Sequence, residues 1–243
     1  MSNTESELTV SLWRGAQRGS YETYKVPMHE NQTVLDVVSW VQRNVDPTLS
    51  YRFACRVGMC GSCAMTVNGG PRWTCRTIVS KVVKGGRLEI GPLENLPVIK
   101  DLAADMRVFF EKWQQAKGVF APSKTRHDAI EQIKSDSEAR VAADLAIECI
   151  NCAICYAACD SVRWNPDYLG PAQLNRAWTL VNDVRDGKNP ERLQAVAVKG
   201  GCHSCHSLQS CQEYCPMSLN PTAAIAGLKR RTMRAFIKGK IKA

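Results

Sequence analysis

Residues 55–63 have the sequence CRVGMCGSC, which places three cysteines within nine residues and decides the fold of the first part of the chain. Gly58 and Gly61 lack the side chains that would obstruct a loop closing around a bound group. The next cysteine, Cys75, lies beyond Asn68-Gly69, a dipeptide typical of a two-residue hairpin turn. We therefore predict a tight loop followed by a hairpin that returns a fourth thiol to the first three.

Outward from this loop, the pattern indicates strands with one helix between them. Val34, Val37, Val38, Val41 and Val45 share a helical face, and Thr33 followed by Asp36 resembles a capping box. The order strand, strand, helix, strands predicts a small α+β domain in which a mixed sheet grips one helix, as in a β-grasp fold. The predicted strands are 8–13, 21–26, 64–67 and 72–79.

Composition narrows the class of protein. The chain has 243 residues, 12 of them cysteine, a formal charge of +9 and a hydrophobic content of 44%, so wholesale disorder is excluded. The opening residues MSNTESELTV lack a charged and apolar signal pattern, and secretion is not expected. No run of about 18 apolar residues predicts a membrane-spanning helix. Cysteines in a reducing compartment usually bind metal or perform chemistry.

The first cysteine group has a specific spacing. Four residues separate Cys55 from Cys60, two separate Cys60 from Cys63, and eleven lead to Cys75. This is the spacing of plant-type [2Fe-2S] sites. Structural zinc and buried free thiols are the alternatives, although zinc sites usually pair two short C-x2-C knuckles.

The second group has the bacterial ferredoxin spacing, in which the fourth cysteine ligates the other cluster of a pair. The third group follows the same spacing, with Leu208 in place of one thiol. Crossing the two runs assigns four thiolates to a [4Fe-4S] cluster and three to a second cluster, where the apolar Leu208 favours [3Fe-4S]. The predicted ligands are Cys149, Cys152, Cys155 and Cys215 for the former, and Cys159, Cys205 and Cys211 for the latter.

The cysteine and the two histidines near the third cysteine group allow alternative interpretations. Cys202 is either a buried small hydrophobe or a fourth ligand in another register, and we favour the buried thiol. A Rieske site using His203 and His206 would leave too many cysteines unused.

The chain turns helical after a gap without cysteines from Cys75 to Cys149. We place a domain boundary within residues 92–105, which predicts one domain at 1–105 and a helical domain at 106–243. The predicted helices are 99–115, 128–147, 173–185 and 222–237, with Pro171 and Pro221 at N-terminal edges.

The net charge and the absence of catalytic motifs indicate what kinds of partner the chain has. Three oxidised clusters with their thiolates carry about −6 in total, so the charge falls to about +3 and nucleic acid is not an expected partner. After Glu213 the chain has basic residues and no acidic ones, which suits contact with a membrane or its partner protein unless this is only a solvated helix end. No G-x-G-x-x-G, P-loop or activated nucleophile is visible, so substrate chemistry must lie on partners. The basic residues are Lys229, Arg230, Arg231, Arg234, Lys238, Lys240 and Lys242.

In combination, seven motifs resemble the iron-sulfur subunit of the succinate dehydrogenase/fumarate reductase family, the quinone-linked complex II. The resemblance spans nearly the whole chain. The motifs are CRVGMCGSC with the distant Cys75, PVIKDL at 97–102, CINCAICYAAC at 149–159, NPDYLGPA at 165–172, CHSLQSC at 205–211, CP at 215–216 and NPTAAI at 220–225.

This resemblance implies a plant-ferredoxin-like domain followed by a helical, bacterial-ferredoxin-like domain. It implies a flavoprotein partner whose FAD interconverts succinate and fumarate, and one or more membrane anchor subunits that bind quinone. Electrons would run from flavin through [2Fe-2S], [4Fe-4S] and [3Fe-4S] to quinone, or in reverse. The chain would lie peripherally at the cytoplasmic face of the inner (plasma) membrane and perform no substrate chemistry itself.

The resemblance also implies a quinone pocket formed by Trp164, His206 and Lys229. Alternatively, Trp164 is an ordinary core tryptophan and Lys229 merely belongs to the basic tail. Trp164 and the CHS sequence favour succinate oxidation, whereas Asp160 in place of proline and Arg163 in place of a second tryptophan weaken that preference. The remaining hypotheses are a fumarate reductase subunit and a stand-alone multi-cluster carrier.

Overall fold

The computed structural model describes residues 7–144 and 146–242, which form two compact units. The first unit comprises the chain up to Met106 together with Ile150–Ala158, and the second comprises Arg107–Cys149 and the chain from Cys159 onward. The cysteine gap did not indicate that a segment of the second cysteine group would join the first unit. Residues 1–6, at the start of the predicted first domain, and Leu145, within predicted helix 128–147, lie outside the described residues. No helix in the described ranges is long and apolar enough to cross a membrane.

The first unit contains a mixed five-stranded sheet that holds one helix, so the predicted α+β class is confirmed. Its strand order is β2-β1-β5-β3-β4, with β1 antiparallel to β2 and parallel to β5. Buried valines of α1 pack in the same core as the inward-facing residues of β1 and β5. The elements are β1 (Glu7–Arg14), β2 (Ser20–Pro27), α1 (Val34–Asn44), β3 (Ala64–Val67), β4 (Gly70–Trp73), β5 (Arg87–Gly91), and a two-stranded sheet of β6 (Val98–Lys100) and β7 (Ala103–Ala104).

Local signals in this unit are largely confirmed. The Thr33 side chain accepts from the Asp36 N–H while Asp36 accepts from the Thr33 N–H, so the capping box that starts α1 is present. Asn68 and Gly69 have positive φ values of 48° and 78°, and Val67 pairs with Gly70 across the turn. This conformation is that of the predicted two-residue hairpin.

Two expectations for the first unit were wrong, and one strand was missed. Val45 does not share the buried face of α1, because it caps the helix and is 52% exposed. Predicted strand 72–79 ends at Trp73, and a turn and the 3-10 helix Val79–Lys81 follow. Strand β5 was missed, since its short alternation of Leu88 and Ile90 gives a weak signal.

The second unit is helical, as predicted, but three of its helices are shorter than expected, two of them at their N-terminal ends. Helix 99–115 begins only at Arg107, because β6 and β7 occupy the preceding residues. In predicted helix 128–147, residues 128–137 are irregular and Ile130 is 93% exposed, so that apolar position found no core to stabilise a helix. The helices are α2 (Arg107–Gln115), α3 (Glu138–Asp144), α5 (Asp160–Trp164), α6 (Pro171–Val181), α7 (Asn189–Ala197), α8 (Ser210–Glu213) and α9 (Pro221–Ile237), while α4 (Ile154–Ala157) belongs to the first unit.

Helices α6 and α9 pack closely at the centre of the second unit. A Cβ at Gly227 would lie 2.4 Å from the Trp178 ring, so glycine permits this approach. The Trp178 indole N–H donates to the Ala142 carbonyl at 2.9 Å. Pro171 and Pro221 stand in the first turns of α6 and α9, as predicted. Helix α6 ends at Val181, earlier than predicted, where the Asn182 amide donates to the Trp178 carbonyl at 2.8 Å.

Candidate iron-sulfur sites

Backbone N–H groups of the 55–63 loop point toward a cysteine sulfur of the same loop. Arg56, Gly58 and Gly61 have positive φ values of 58°, 77° and 69°. The backbone N–H groups of Met59 and Cys60 both donate to Cys55 Sγ at 3.3 Å. Amides that point at sulfur favour the thiolate, the form that ligates iron.

Cys63 and Cys75 form the buried side of this site. Both thiols are nearly buried and pack with Leu35, and the partly buried Tyr51 and Trp73 pack against them. The Thr74 hydroxyl donates to the Cys63 carbonyl at 2.8 Å, so the turn after β4 holds Cys75 beside Cys63.

The thiols of this group differ in acidity. Hydrogen bonding from the Cys55 backbone, then from the Ser62 side chain, lowers the pKa of Cys60 to about 6. Burial, followed by the neighbouring Cys63 thiol, raises the pKa of Cys75 to about 11. Cluster ligation must therefore deprotonate the Cys75 thiol, whereas the lowered pKa of Cys60 favours its thiolate. Three thiols on a glycine-containing loop, together with the Cys75 thiol from beyond the hairpin, fit the donor set of a [2Fe-2S] cluster.

The first loop also contacts the second cysteine group within the first unit. A Cβ at Gly61 would lie 2.6 Å from Cys152 Cβ, so only glycine fits here without movement. The Asn95 amide donates to the carbonyls of Tyr156 and Ala157 at 3.2 and 2.9 Å. Asn95 is a positioning residue that sequence reasoning missed, since no local pattern distinguishes it from a turn asparagine.

The second and third cysteine groups share one backbone conformation. Asn151 and Ala153 have positive φ values, and Ser207 and Gln209, at the equivalent positions of the third group, have them too. A four-residue helix follows each pair, α4 in one group and α8 in the other. This repetition supports the alignment that places Leu208 opposite Cys152.

Cys159, Cys205 and Cys211 line one cavity in the second unit. Its volume, which includes space open to solvent, is about 290 Å³, and Leu208 lines it as well. In the described part of the chain, no three His, Cys, Asp or Glu side chains are arranged to hold a single metal ion. The lining of one cavity by three cysteines and Leu208 fits a cluster with three thiolate ligands and an apolar neighbour.

A hydroxyl and a backbone amide lie beside two of these three thiols. The Thr222 hydroxyl lies 3.4 Å from Cys211 Sγ, and the Ser207 N–H donates to Cys205 Sγ at 3.4 Å. Burial raises the pKa of Cys211 to about 11 and also raises the pKa of Cys159.

Tyr168 also lines this cavity and was missed as a site residue. Its side chain is buried, and burial followed by the charges of Cys205 and Cys159 raises its pKa, so the phenol stays protonated. The Lys112 ammonium donates to the carbonyls of Pro166 and Tyr168 at 2.7 and 2.8 Å, which holds the backbone of this segment. Tyr168 belongs to the NPDYLGPA motif, so the sequence did mark its position, but the motif alone assigned it no role.

The predicted [4Fe-4S] ligands belong to both units, with Cys152 and Cys155 in the first and Cys149 and Cys215 in the second. Their assignment to one cluster remains a prediction. Cys202 is fully buried, and its sulfur lies 3.7 Å from the Thr232 hydroxyl. This environment is that of a buried thiol in the core of the second unit.

The quinone candidates lie in different surroundings. The Lys229 ammonium donates to the Cys205 carbonyl at 2.7 Å, which places it beside the segment of the exposed His206. Trp164, at the end of α5, is 68% exposed, so it is not an ordinary core tryptophan. The Arg163 guanidinium lies 3.8 Å from the Asp160 carboxylate in an exposed pair.

Comparisons with known proteins agree on one family. Residues 8–111 match the family described as "2Fe-2S iron-sulfur cluster binding domain", and residues 148–220 match "4Fe-4S dicluster domain". The chain is 32% identical to the fumarate reductase iron-sulfur subunit of Escherichia coli O6:H1, covering 90% of this chain and 88% of that protein. It is 36% identical to the succinate dehydrogenase iron-sulfur subunit of Paracoccus denitrificans, covering 86% and 80%.

A solved structure agrees with these relatives. The chain resembles a chain of the "Mycobacterium smegmatis Sdh1 complex in the apo form" with a TM-score of 0.83 and 26% identity, covering 95% of this chain and 97% of that one.

Proposed function

The chain belongs to the family of iron-sulfur subunits of succinate dehydrogenase and fumarate reductase, and from this premise we propose that it relays electrons between a flavoprotein and quinone. The flavoprotein subunit bears FAD, and one or more membrane anchor subunits hold the quinone. The net direction is succinate oxidation. The chain is peripheral and lies at the cytoplasmic face of the inner (plasma) membrane, and no substrate bond is made or broken within it.

The observation that supports this proposal most is the cavity lined by Cys159, Cys205, Cys211 and Leu208. When bound, the clusters supply one-electron carriers whose potentials depend on cluster type, charge and hydrogen bonding. The chain's own residues hold them: Cys55, Cys60, Cys63 and Cys75 hold [2Fe-2S], Cys149, Cys152, Cys155 and Cys215 hold [4Fe-4S], and Cys159, Cys205 and Cys211 hold [3Fe-4S].

Quinone binds beside the third cysteine group in this proposal. Lys229 orients the backbone at Cys205 and stabilises negative charge on a reduced quinone, while the adjacent His206 exchanges protons with its oxygen. The exposed Trp164 donates its indole N–H. Exposure of His206 and Trp164 supports these roles, because a side chain that contacts a partner-bound ligand must be accessible in the isolated chain.

The test of the main proposal is a redox titration of the native complex. With the flavoprotein present, succinate is expected to reduce the iron-sulfur centres and fumarate to reoxidise them, as followed by electron paramagnetic resonance. Inertness to both acids would contradict the assignment. Full activity of the isolated chain as a soluble carrier would favour a stand-alone function instead.

The quinone pocket has its own test. We predict that His206→Ala lowers quinone-linked turnover by about 100-fold, the size of a lost proton-transfer group, while electron transfer from succinate to an artificial dye continues. His203→Ala is the matched control, because His203 contacts Thr232 within the fold. Equal losses with quinone and with dye would show that His206 has only a structural role.

A further inference from the structure

The end of α9 presents large apolar side chains to solvent on one face. Met233, Phe236 and Ile237 are 50%, 48% and 77% exposed. Their spacing of three and four residues places them on neighbouring positions of the helix surface. The opposite face of α9 is buried by Leu228, Thr232 and other residues. The exposed face therefore lies outside the core of the second unit.

Basic side chains flank this apolar face, with Arg230, Arg234 and Lys238 in one row along its side and Lys240 and Lys242 beyond the end of α9. Arg230, Arg234, Lys238, Lys240 and Lys242 are all exposed. In the described part of the chain, none of the five forms an ion pair. No acidic residue follows Glu213 in the sequence. We call the three apolar and five basic residues the C-terminal patch.

The backbone fixes the patch in place. Gly239 follows α9 with a φ of 65°, and its N–H donates to the Phe236 carbonyl at 2.9 Å, while the Lys240 N–H donates to the Ala235 carbonyl at 2.9 Å. These two bonds form a Schellman motif, which turns the chain back along the helix. The Gln194 side chain then bonds both the N–H and the carbonyl of Lys242, at 2.7 and 3.2 Å.

An apolar cavity adjoins the patch. Its volume, which includes space open to solvent, is about 570 Å³. Met233 and Phe236 of the patch line it together with Ile241, and Lys242 lies at its wall. The site thus combines an open apolar volume with unpaired positive charge. That combination fits an occupant with both an acyl chain and a negative headgroup.

We propose that the C-terminal patch binds an anionic phospholipid surface. The apolar side chains insert at the boundary between headgroups and acyl chains, and the basic residues attract the negative headgroups. Charge complementarity argues for this occupant, because an uncharged apolar partner would leave five positive charges without counter-charges. The inference does not rest on the proposed electron transfer, and vesicle binding is measured without any enzymatic readout.

The test uses the full-length, cluster-loaded chain and protein-free vesicles. One set contains phosphatidylcholine alone, and the other contains about one-third phosphatidylglycerol. The chain is expected to co-sediment with the anionic vesicles and to be released by high salt, while the neutral vesicles bind it weakly. Equal binding to both sets would overturn the proposal. Failure to bind either set would overturn it in favour of a protein partner.

Two pairs of variants locate the binding. Arg234→Gln with Lys238→Gln is expected to weaken anionic-vesicle binding by roughly 25-fold, since each basic residue contributes roughly fivefold. Lys81→Gln with Lys84→Gln changes the charge equally at exposed positions of the first unit and should bind as the parent does. Ile237→Ser is expected to weaken binding by about tenfold, whereas Ile130→Ser, at another exposed isoleucine, should not. Equal effects within either pair would overturn the assignment to α9.

Discussion

At the residue scale, Gly61 and Gly69 illustrate two different reasons why a position requires glycine. Both have positive φ, 69° and 78°, but a Cβ at Gly61 would meet Cys152 whereas one at Gly69 would meet nothing within 4 Å. Gly69→Ala is expected to cost about 1–2 kcal/mol of stability through backbone strain alone. Gly61→Ala should cost about 2 kcal/mol more and lower the iron content. Denaturant unfolding and iron analysis of the full chain measure both, and equal losses would show that the Cys152 contact is unimportant.

Leu208 offers a second residue-scale prediction. It lines the cavity with Cys159, Cys205 and Cys211 and takes the position that Cys152 has in the second group. Leu208→Cys is therefore expected to add about one iron atom per chain and to reduce the paramagnetic signal of oxidised [3Fe-4S]. Leu208→Ala is the control, because it opens space without adding a thiol. Unchanged iron and signal in Leu208→Cys would contradict the ligand alignment.

At the scale of elements, Asp186 joins α7 to two neighbouring segments. Its carboxylate accepts from the buried Arg192 guanidinium at 2.6 Å and from the N–H groups of Ala121 and Lys188 at 3.1 and 3.0 Å. Burial acts to raise the pKa of Asp186, but these hydrogen bonds outweigh it and the pKa is lowered. The carboxylate thus stabilises the fold above its unfolded pKa of 3.8, and this contribution is lost as the pH falls.

Asp186→Asn is expected to cost about 3–5 kcal/mol at neutral pH, because it leaves the Arg192 charge buried without a counter-charge. The variant should also lose less stability than the parent between neutral pH and pH 3. Asp183→Asn is the control, since Asp183 pairs with the half-exposed Arg185 and such a pair contributes about 1 kcal/mol or less. Urea unfolding across this pH range measures both. Similar losses for the two variants would contradict the importance of the buried pair.

How far the sequence predicts each element depends on whether its cause is local. The capping box of α1, the Asn68-Gly69 turn and the prolines at α6 and α9 depend on residues within one turn, and the structure has all of them. The 128–137 stretch has helical periodicity but no surface to pack against. The contact of Gly61 with Cys152 joins residues far apart in sequence, so no local pattern could indicate it. The spacing of the cysteines is local, so it suggested the cluster types. Tyr168 and Asn95 were missed because their contacts are with residues far away in the sequence.

At the scale of the whole molecule, cluster loading should change both the amount and the distribution of charge. The iron-free chain has a formal charge of +9 and a pI near 9.0. Loading is expected to lower the charge to about +3, since each oxidised cluster with its thiolates contributes about −2. The C-terminal patch contains no cysteine, so its five basic residues keep their charge.

The loaded chain should therefore elute from a cation exchanger at lower salt than the iron-free chain. Its affinity for heparin, a flexible polyanion, should fall more than its affinity for anionic vesicles, because heparin responds to the overall charge while the vesicle surface meets the patch. Anaerobic chromatography and vesicle sedimentation of both forms measure the two effects. The double variant Arg234→Gln, Lys238→Gln should show the opposite order. Compared with the parent chain, it should lose more affinity for anionic vesicles than for heparin. Parallel losses in all cases would show that the positive charge acts as a diffuse whole and not through α9.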